Sequence, residues 1–238
     1  PAFVARGKLP FPFLICEYVP GPSLADILST PSLLTAWGMS LAKDGRLPWQ
    51  FILAVMRKLC EGVQVLHTAL GILHRDLKPD NVIVEPGGQR IRIIDLGILK
   101  DIYADLYAKL DGAAKPGLTL EFGVLGTPPY MALEQAFRAL NAASKATDVC
   151  ALGRMLCELL QGHQALAHLT LETFLQSVRV PLQDCNHPEL PFPLPVVATN
   201  LYREMTDPDH KKRPSLEEVL DRLFRLERMR RLIASGKK

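Results

Sequence analysis

The spacing of apolar residues changes along this chain, and the changes mark its elements. Phe11 to Val19 is a short apolar, aromatic run that reads as a buried strand. Pro20, Gly21 and Pro22 break it, and Ser23 is placed to cap a short helix over residues 24–28. A loop follows, carrying Pro31 and Lys43-Asp44-Gly45. Pro48 then opens a long helix. Ile52, Val55, Met56, Leu59, Val63, Leu66 and Leu70 recur at steps of three and four, which turns one face to a core, and Gly71 is the expected C-cap. Val82-Ile83-Val84 and Ile91-Arg92-Ile93-Ile94 are short strands on either side of Pro86-Gly87-Gly88, a hairpin signal. Residues 98–125 lack periodicity and read as a long loop, of a length that is uncommon unless functional. Residues 149–160 are apolar nearly all round, the mark of a buried central helix. Further helices are expected over residues 196–205 and after Ser215, which forms a capping-box pattern with Glu218.

Composition narrows the class without naming a function. The 238 residues suit one domain or one and a half, and 48% hydrophobic with 22% charged residues is ordinary for a globular protein. A balance of 28 Lys+Arg against 25 Asp+Glu leaves +3, too little to argue for a nucleic-acid partner. The five cysteines, Cys16, Cys60, Cys150, Cys157 and Cys185, are odd in number and form no C-x-x-C pair. That fits a reduced, intracellular protein better than a disulfide or zinc framework. No uninterrupted apolar run is long enough to span a bilayer. The chain opens on Pro1, directly before an apolar stretch, which reads as a cut rather than a natural beginning. The basic end (Arg228, Arg230, Arg231, Lys237, Lys238) reads as a solvated helix face.

The chemistry is concentrated in His74-Arg75-Asp76-Leu77-Lys78-Pro79-Asp80-Asn81, between the long helix and the hairpin, and in Asp95-Leu96-Gly97, which closes the second strand. Phosphoryl transfer to a hydroxyl needs a carboxylate to orient that hydroxyl and accept its proton. It also needs oxygen ligands for the Mg²⁺ that neutralises the phosphates. Asp76, Asn81 and Asp95 supply those groups, and the hairpin returns Asp95 beside Asn81.

Here the chain resembles the protein kinase family, whose catalytic loop reads H-R-D-L-x-x-x-N and whose magnesium motif reads D-F-G. The resemblance implies that Asp76 is the catalytic base, that Lys78 contacts the transferred phosphate, and that Asn81 and Asp95 bind metal. It implies that Arg75 couples the loop to the activation segment. Gly126-Thr127-Pro128-Pro129-Tyr130-Met131-Ala132-Leu133-Glu134 looks like the segment ending in A-P-E. Asp148 with Gly153 looks like the start of the central helix whose aspartate braces the catalytic loop, and Arg213 like the late arginine that pairs with Glu134. Cys16, Glu17, Tyr18 and Val19 look like the gatekeeper and hinge, which bind adenine with Ile83.

The implied fold is α+β and kinase-like: a mainly helical C-terminal lobe over residues 20–227, remnant strands and hinge of the N-terminal lobe over residues 1–19, and a basic tail over residues 228–238. The implied cofactors are ATP and Mg²⁺, and the implied partners are proteins bearing Ser or Thr. The implied location is the cytoplasm, or the cytoplasmic face of a membrane protein, with membrane association only through regions outside this chain.

Leu96 replaces Phe in D-F-G and Leu133 replaces Pro in A-P-E, and neither change removes a group the chemistry requires. A larger departure is that residues 1–238 contain no G-x-G-x-x-G loop and no V-A-I-K lysine. Those parts grip ATP in the family, so the chain alone is expected to bind ATP poorly.

Three functions compete. The first is an active serine/threonine kinase, favoured by the complete Asp76, Lys78, Asn81, Asp95 set, by Lys78 two residues after Asp76, and by Thr127. The second is a pseudokinase or scaffold. The third is a small-molecule kinase of the aminoglycoside or choline type, which generally lacks the Arg75 pattern and the G-T-x-x-Y-M-x-x-E segment. The string Gly126 to Gln135 looks most like bacterial members of the family.

Arg75 is a cation directly before the catalytic aspartate, and half-buried it calls for an anion. In kinases with this arginine the anion is typically a phosphorylated residue of the activation segment. Between Asp95 and Gly126 the hydroxyl-bearing residues are Tyr103, Tyr107 and Thr119. Thr119 lies nearest the stretch that should fold back on Arg75, and Glu121 could supply a permanent carboxylate before it. Packing of Leu118, Leu120 and Phe122 is the competing way to order the loop. Thr119→Ala should therefore lose most of the activity gained on preincubation with ATP, and mass spectrometry should find phosphate on Thr119. An active enzyme with Thr119 unmodified would leave Glu121 or packing as the cause.

Overall fold

The computed structural model describes residues 3–4, 14–96, 127–136, 143–162, 166 and 182–236. Their architecture is mainly helical, with two short antiparallel ladders. β1 (Phe3–Val4) pairs with β2 (Leu14–Ile15), Phe3 opposite Ile15 and Val4 opposite Leu14. The buried strand expected through residue 19 is not what forms: the chain has left the ladder by Cys16, and Cys16, Glu17 and Tyr18 are exposed, Tyr18 at 84%. A ladder two residues long offers little surface to bury an aromatic side chain against, so apolar character there does not produce burial.

The chain then turns onto β3 (Val82–Val84). The Pro22 carbonyl accepts the Val84 N–H at 3.0 Å, and Ser23 bridges Ile83. Gly21 sits at φ +128°, and a Cβ there would stand 2.1 Å from the Val84 carbonyl oxygen, so only glycine allows this approach.

α1 (Leu24–Ser29) begins at Ser23, whose hydroxyl accepts the Asp26 N–H at 3.1 Å while the Asp26 carboxylate accepts the Ser23 N–H at 2.9 Å. The residues after it, expected as a loop, wind into a 3₁₀ helix over Pro31–Trp37. Pro31 presets φ for its first turn and Leu34 anchors it in the core.

α2 (Trp49–Thr68) starts at Pro48, and its first N–H, from Trp49, donates to the Glu189 carboxylate at 2.6 Å. An acid at that end also complements the helix dipole. Ile52, Val55, Met56, Leu59 and Val63 are buried as their spacing requires. Leu66 is half-buried and Leu70 exposed, because the helix stops at Thr68 with Ala69 as its cap, short of Gly71. The backbone turns at Gly71 instead, and the Ile72 N–H returns to the Leu66 carbonyl at 2.9 Å.

β3 pairs with β4 (Ile91–Ile93) in the register Val82 opposite Ile93 and Val84 opposite Ile91. A short helix, α3 (Leu133–Ala136), precedes α4 (Lys145–Gln161), which is buried from Thr147 to its end. α5 (Leu194–Met205) and α6 (Leu216–Ala234) complete the fold, α6 opening on the Ser215–Glu218 capping box. α4 packs between α2 and α5, and α6 lies against both of those helices. Among the described residues no helix is long and apolar enough to cross a membrane. The long loop expected over residues 98–125 lies outside the described residues.

α4 approaches α5 closely at Gly153. A Cβ on Gly153 would meet the Met205 Cβ at 2.7 Å, Thr206 Cγ2 at 2.9 Å and the Tyr202 carbonyl oxygen at 3.2 Å. Gly153→Ala should therefore destabilise the fold by about 1–3 kcal/mol through overpacking, although alanine is the better helix former by about 1 kcal/mol. Chemical denaturation measures the difference, and equal or greater stability would refute the tight approach.

Candidate active site

One buried carboxylate organises the segment from His74 to Asn81. Asp148, in the first turn of α4, is 1% exposed. Its Oδ2 accepts the backbone N–H of His74 at 2.9 Å, its Oδ1 accepts that of Arg75 at 2.8 Å, and the His67 Nε2 lies 2.7 Å from Oδ2. Arg75 stands at φ +64°, a left-handed conformation that a side chain other than glycine adopts only when its surroundings impose it. Its carbonyl accepts from Gln135 Nε2 at 2.7 Å.

Asp76 follows, buried, with three further ties. Thr127 Oγ1 donates to its Oδ1 at 3.0 Å, its backbone N–H donates to His74 Nδ1 at 3.3 Å, and its carbonyl accepts from Asn81 Nδ2 at 2.9 Å. His74 in turn donates from Nε2 to the Ile94 carbonyl at 3.2 Å. Burial holds the His74 proton affinity below the usual histidine range, so the ring stays neutral with Nδ1 free to accept. The histidine thus spans the gap between Asp76 and the residue before Asp95.

The Ile94 N–H donates to the Asn81 carbonyl at 2.9 Å, which keeps the end of β4 beside Asn81. Asp95 itself is exposed, at φ +55°. Since the Asn81 amide nitrogen is committed to Asp76, its Oδ1 is the end left for another donor. Asn81 and Asp95 are hard oxygen donors with no sulfur or imidazole among them, a set suited to Mg²⁺. Among the described residues no three His, Cys, Asp or Glu side chains group so as to hold a metal by themselves.

Lys78 is half-buried with an extended backbone, and its carbonyl accepts the Asn81 N–H at 3.0 Å. Ile83 is half-buried on β3, next to the segment that leads in from Val19. Thr119 and Glu121 lie outside the described residues.

Behind the loop, Glu134 of α3 and Arg213 form a bidentate pair, Nη1 to Oε1 at 2.7 Å and Nη2 to Oε2 at 2.9 Å. Thr147 Oγ1 adds a third donor at 3.0 Å, and Arg213 also donates to the carbonyls of Asp207 and Ala146. Burial would raise the Glu134 carboxyl, but the guanidinium fork and the threonine outweigh it and hold it below the usual carboxylate range.

Three contributors went unrecognised in the sequence. His67 was singled out by no pattern, Gln135 closed the 126–135 string with no role assigned to it, and the Tyr130 hydroxyl, which donates to buried Glu158 at 2.5 Å, gave no local sign. Burial pushes the thiols of Cys60 and Cys157 up to about 12, which leaves them uncharged.

The family model of the protein kinase domain matches residues 10–224. The chain belongs to the protein kinase family. Relatives of this kinase domain include the serine/threonine-protein kinase AfsK of Streptomyces coelicolor, 34% identical over 152 residues, which cover 64% of this chain and 16% of AfsK. PknA of Corynebacterium glutamicum is 33% identical over 155 residues, 65% of this chain and 27% of PknA. PknB of Mycobacterium leprae is 29% identical over 153 residues, 64% of this chain and 20% of PknB. The chain spans less than a third of the length of these curated relatives.

The Glu134–Arg213 pair makes one expectation quantitative. Arg213→Ala would leave a buried carboxylate without its counter-charge, and losing one partner of such a pair costs about 3–5 kcal/mol. Denaturant unfolding of this variant should shift by that amount, and a change under about 1 kcal/mol, the range of exposed pairs, would mean the pair is solvated.

Proposed function

We propose that this chain forms the catalytic half of a protein serine/threonine kinase, which moves the γ-phosphoryl group of ATP onto Ser or Thr hydroxyls of proteins. The observation that carries the reading is the Thr127 hydroxyl, which donates to Asp76 Oδ1 at 3.0 Å. An aliphatic hydroxyl already finds this carboxylate at hydrogen-bonding distance, and a substrate serine or threonine would offer it the same donor.

In this reading Asp76 orients the attacking hydroxyl and takes its proton as the new oxygen–phosphorus bond forms and the bond to the departing ADP breaks. Lys78 contacts the transferred phosphoryl group. Asn81 and Asp95 hold Mg²⁺, which when bound draws off charge from the phosphate oxygens. The backbone of Cys16, Glu17, Tyr18 and Val19, with Ile83, receives the adenine. Arg75 answers to an anion in the activation segment, with Thr119 and Glu121 as candidates. The exposure of Asp95 and of residues 16–18 supports the reading, since groups that meet a ligand must reach the surface. Glu134, Arg213 and Asp148 serve as braces.

Transfer also needs a Gly-rich loop and a lysine to grip the phosphates, so the test belongs on the longest natural polypeptide that carries these residues. Asp76→Asn should lower kcat by at least about 10²-fold, the low end for a positioned general base. Asp95→Ala should abolish Mg²⁺-dependent nucleotide binding. Wild-type rates in Asp76→Asn would sink the assignment of the base. Nucleotide binding without transfer by the wild type would favour a scaffold instead.

A further inference from the structure

Two side chains from outside the catalytic loop hold the strained backbone at Arg75, and the fold assigns only one of them an obvious brace. Asp148 takes the N–H of Arg75. The carbonyl of Arg75 goes to Gln135, at 2.7 Å. That carbonyl belongs to the same peptide group as the Asp76 N–H, which His74 Nδ1 accepts. The peptide joining Arg75 to Asp76 is therefore gripped on both edges, the oxygen by Gln135 and the hydrogen by His74. Turning this peptide would swing the Asp76 side chain away from its present direction, and a residue at φ +64° has an ordinary right-handed conformation to relax into.

Gln135 is itself aimed. Its Oε1 accepts the Ala132 N–H at 2.9 Å, which leaves the amide nitrogen to face Arg75. Its neighbour Glu134 is anchored in the Arg213 fork, so the short helix that carries both is fixed from behind. The segment 127–136 thus reaches the catalytic loop twice, through the Thr127 hydroxyl at the Asp76 carboxylate and through Gln135 at the backbone before it.

We propose that Gln135 is a positioning residue for the base: docking of this segment sets the Arg75–Asp76 peptide, and through it the aim of the Asp76 carboxylate. The inference rests on the reading of Asp76 as proton acceptor, and the two can be tested apart. Gln135→Glu at pH 8 keeps the oxygen that meets Ala132 and loses the donor to Arg75. Gln135→Met loses both at similar volume. Gln135→Lys restores a donor without the acceptor. Each variant is read by kcat and KM, by thermal midpoint, and by hydrogen exchange of the backbone over residues 74–76.

Gln135→Glu and Gln135→Met should lower kcat about tenfold, what loss of one ordinary hydrogen bond produces, with KM for ATP within about twofold. Exchange over residues 74–76 should speed by a similar factor, and Gln135→Lys should regain most of both. Unchanged exchange in a folded Gln135→Glu protein overturns the proposal. So does a kcat loss confined to Gln135→Met and Gln135→Lys, which would place the effect at Ala132. If Gln135→Met fails to fold, Gln135→Glu, which keeps the internal bond, decides. If the wild type transfers no phosphate, the exchange measurement still judges the clamp, and the reading of Asp76 is what falls.

Discussion

A single carboxylate, that of Asp148, sets the terms for everything around the candidate active site. Buried at the start of a central helix, it would be costly without donors, and it has them: the backbone N–H groups of His74 and Arg75 and the imidazole of His67. Satisfying the anion and imposing the left-handed turn at Arg75 are the same event. The loop is held in a conformation it would not choose, by a group that could not stay buried without it. α4 must then be rigid and central, and α2 must end close enough for His67 to reach across.

α4 repeats this arrangement along its length. Thr147 donates to Glu134, Arg154 donates to the Pro129 carbonyl, Glu158 receives the Tyr130 hydroxyl and the Leu166 N–H, and Gln161 donates to the Asp184 carbonyl. Its apolar residues pack against α2 and α5 while its buried polar ones each hold a neighbouring segment. Burial pushes up the Tyr130 hydroxyl, and the adjacent Glu158 adds to the shift, so this tyrosine remains a donor at any ordinary pH. Apart from single 3₁₀ turns at Pro79–Asn81 and Pro128–Tyr130, residues 74–81 and 127–132 form no helix or long strand, yet both are referred to one helix, which is how a loop-built site acquires a fixed geometry.

Local chemistry was legible in the sequence wherever it is decided locally. The cap at Ser23, the capping box at Ser215, the hairpin at Gly87 and Gly88, and the three-and-four spacing in α2 all act within a few residues. The order His74 to Asn81, then Asp95, Glu134 and Arg213, was enough to identify the family. What failed to show was set by distance. Cys16 and Tyr18 are exposed because no long ladder forms there, and Leu70 is exposed because α2 ends two residues earlier. The bonds of His67 and Gln135 join segments 81 and 60 positions apart, which no local pattern encodes.

The closing helix carries a lesson about where this domain physically stops. Family likeness ends at residue 224, yet Leu226 and Glu227 are buried beyond it. Glu227 accepts the indole N–H of Trp49 and is flanked by Arg230 and Arg231, whose guanidinium groups help hold its carboxyl ionised against burial. A polypeptide trimmed to the shared pattern would keep Trp49, nearly inaccessible at the start of α2, and discard its only acceptor among the described residues. The folding unit is therefore longer than its recognisable signature, and the stretch of α6 beyond residue 224 that similarity overlooks is what closes the seam between the first long helix and the last.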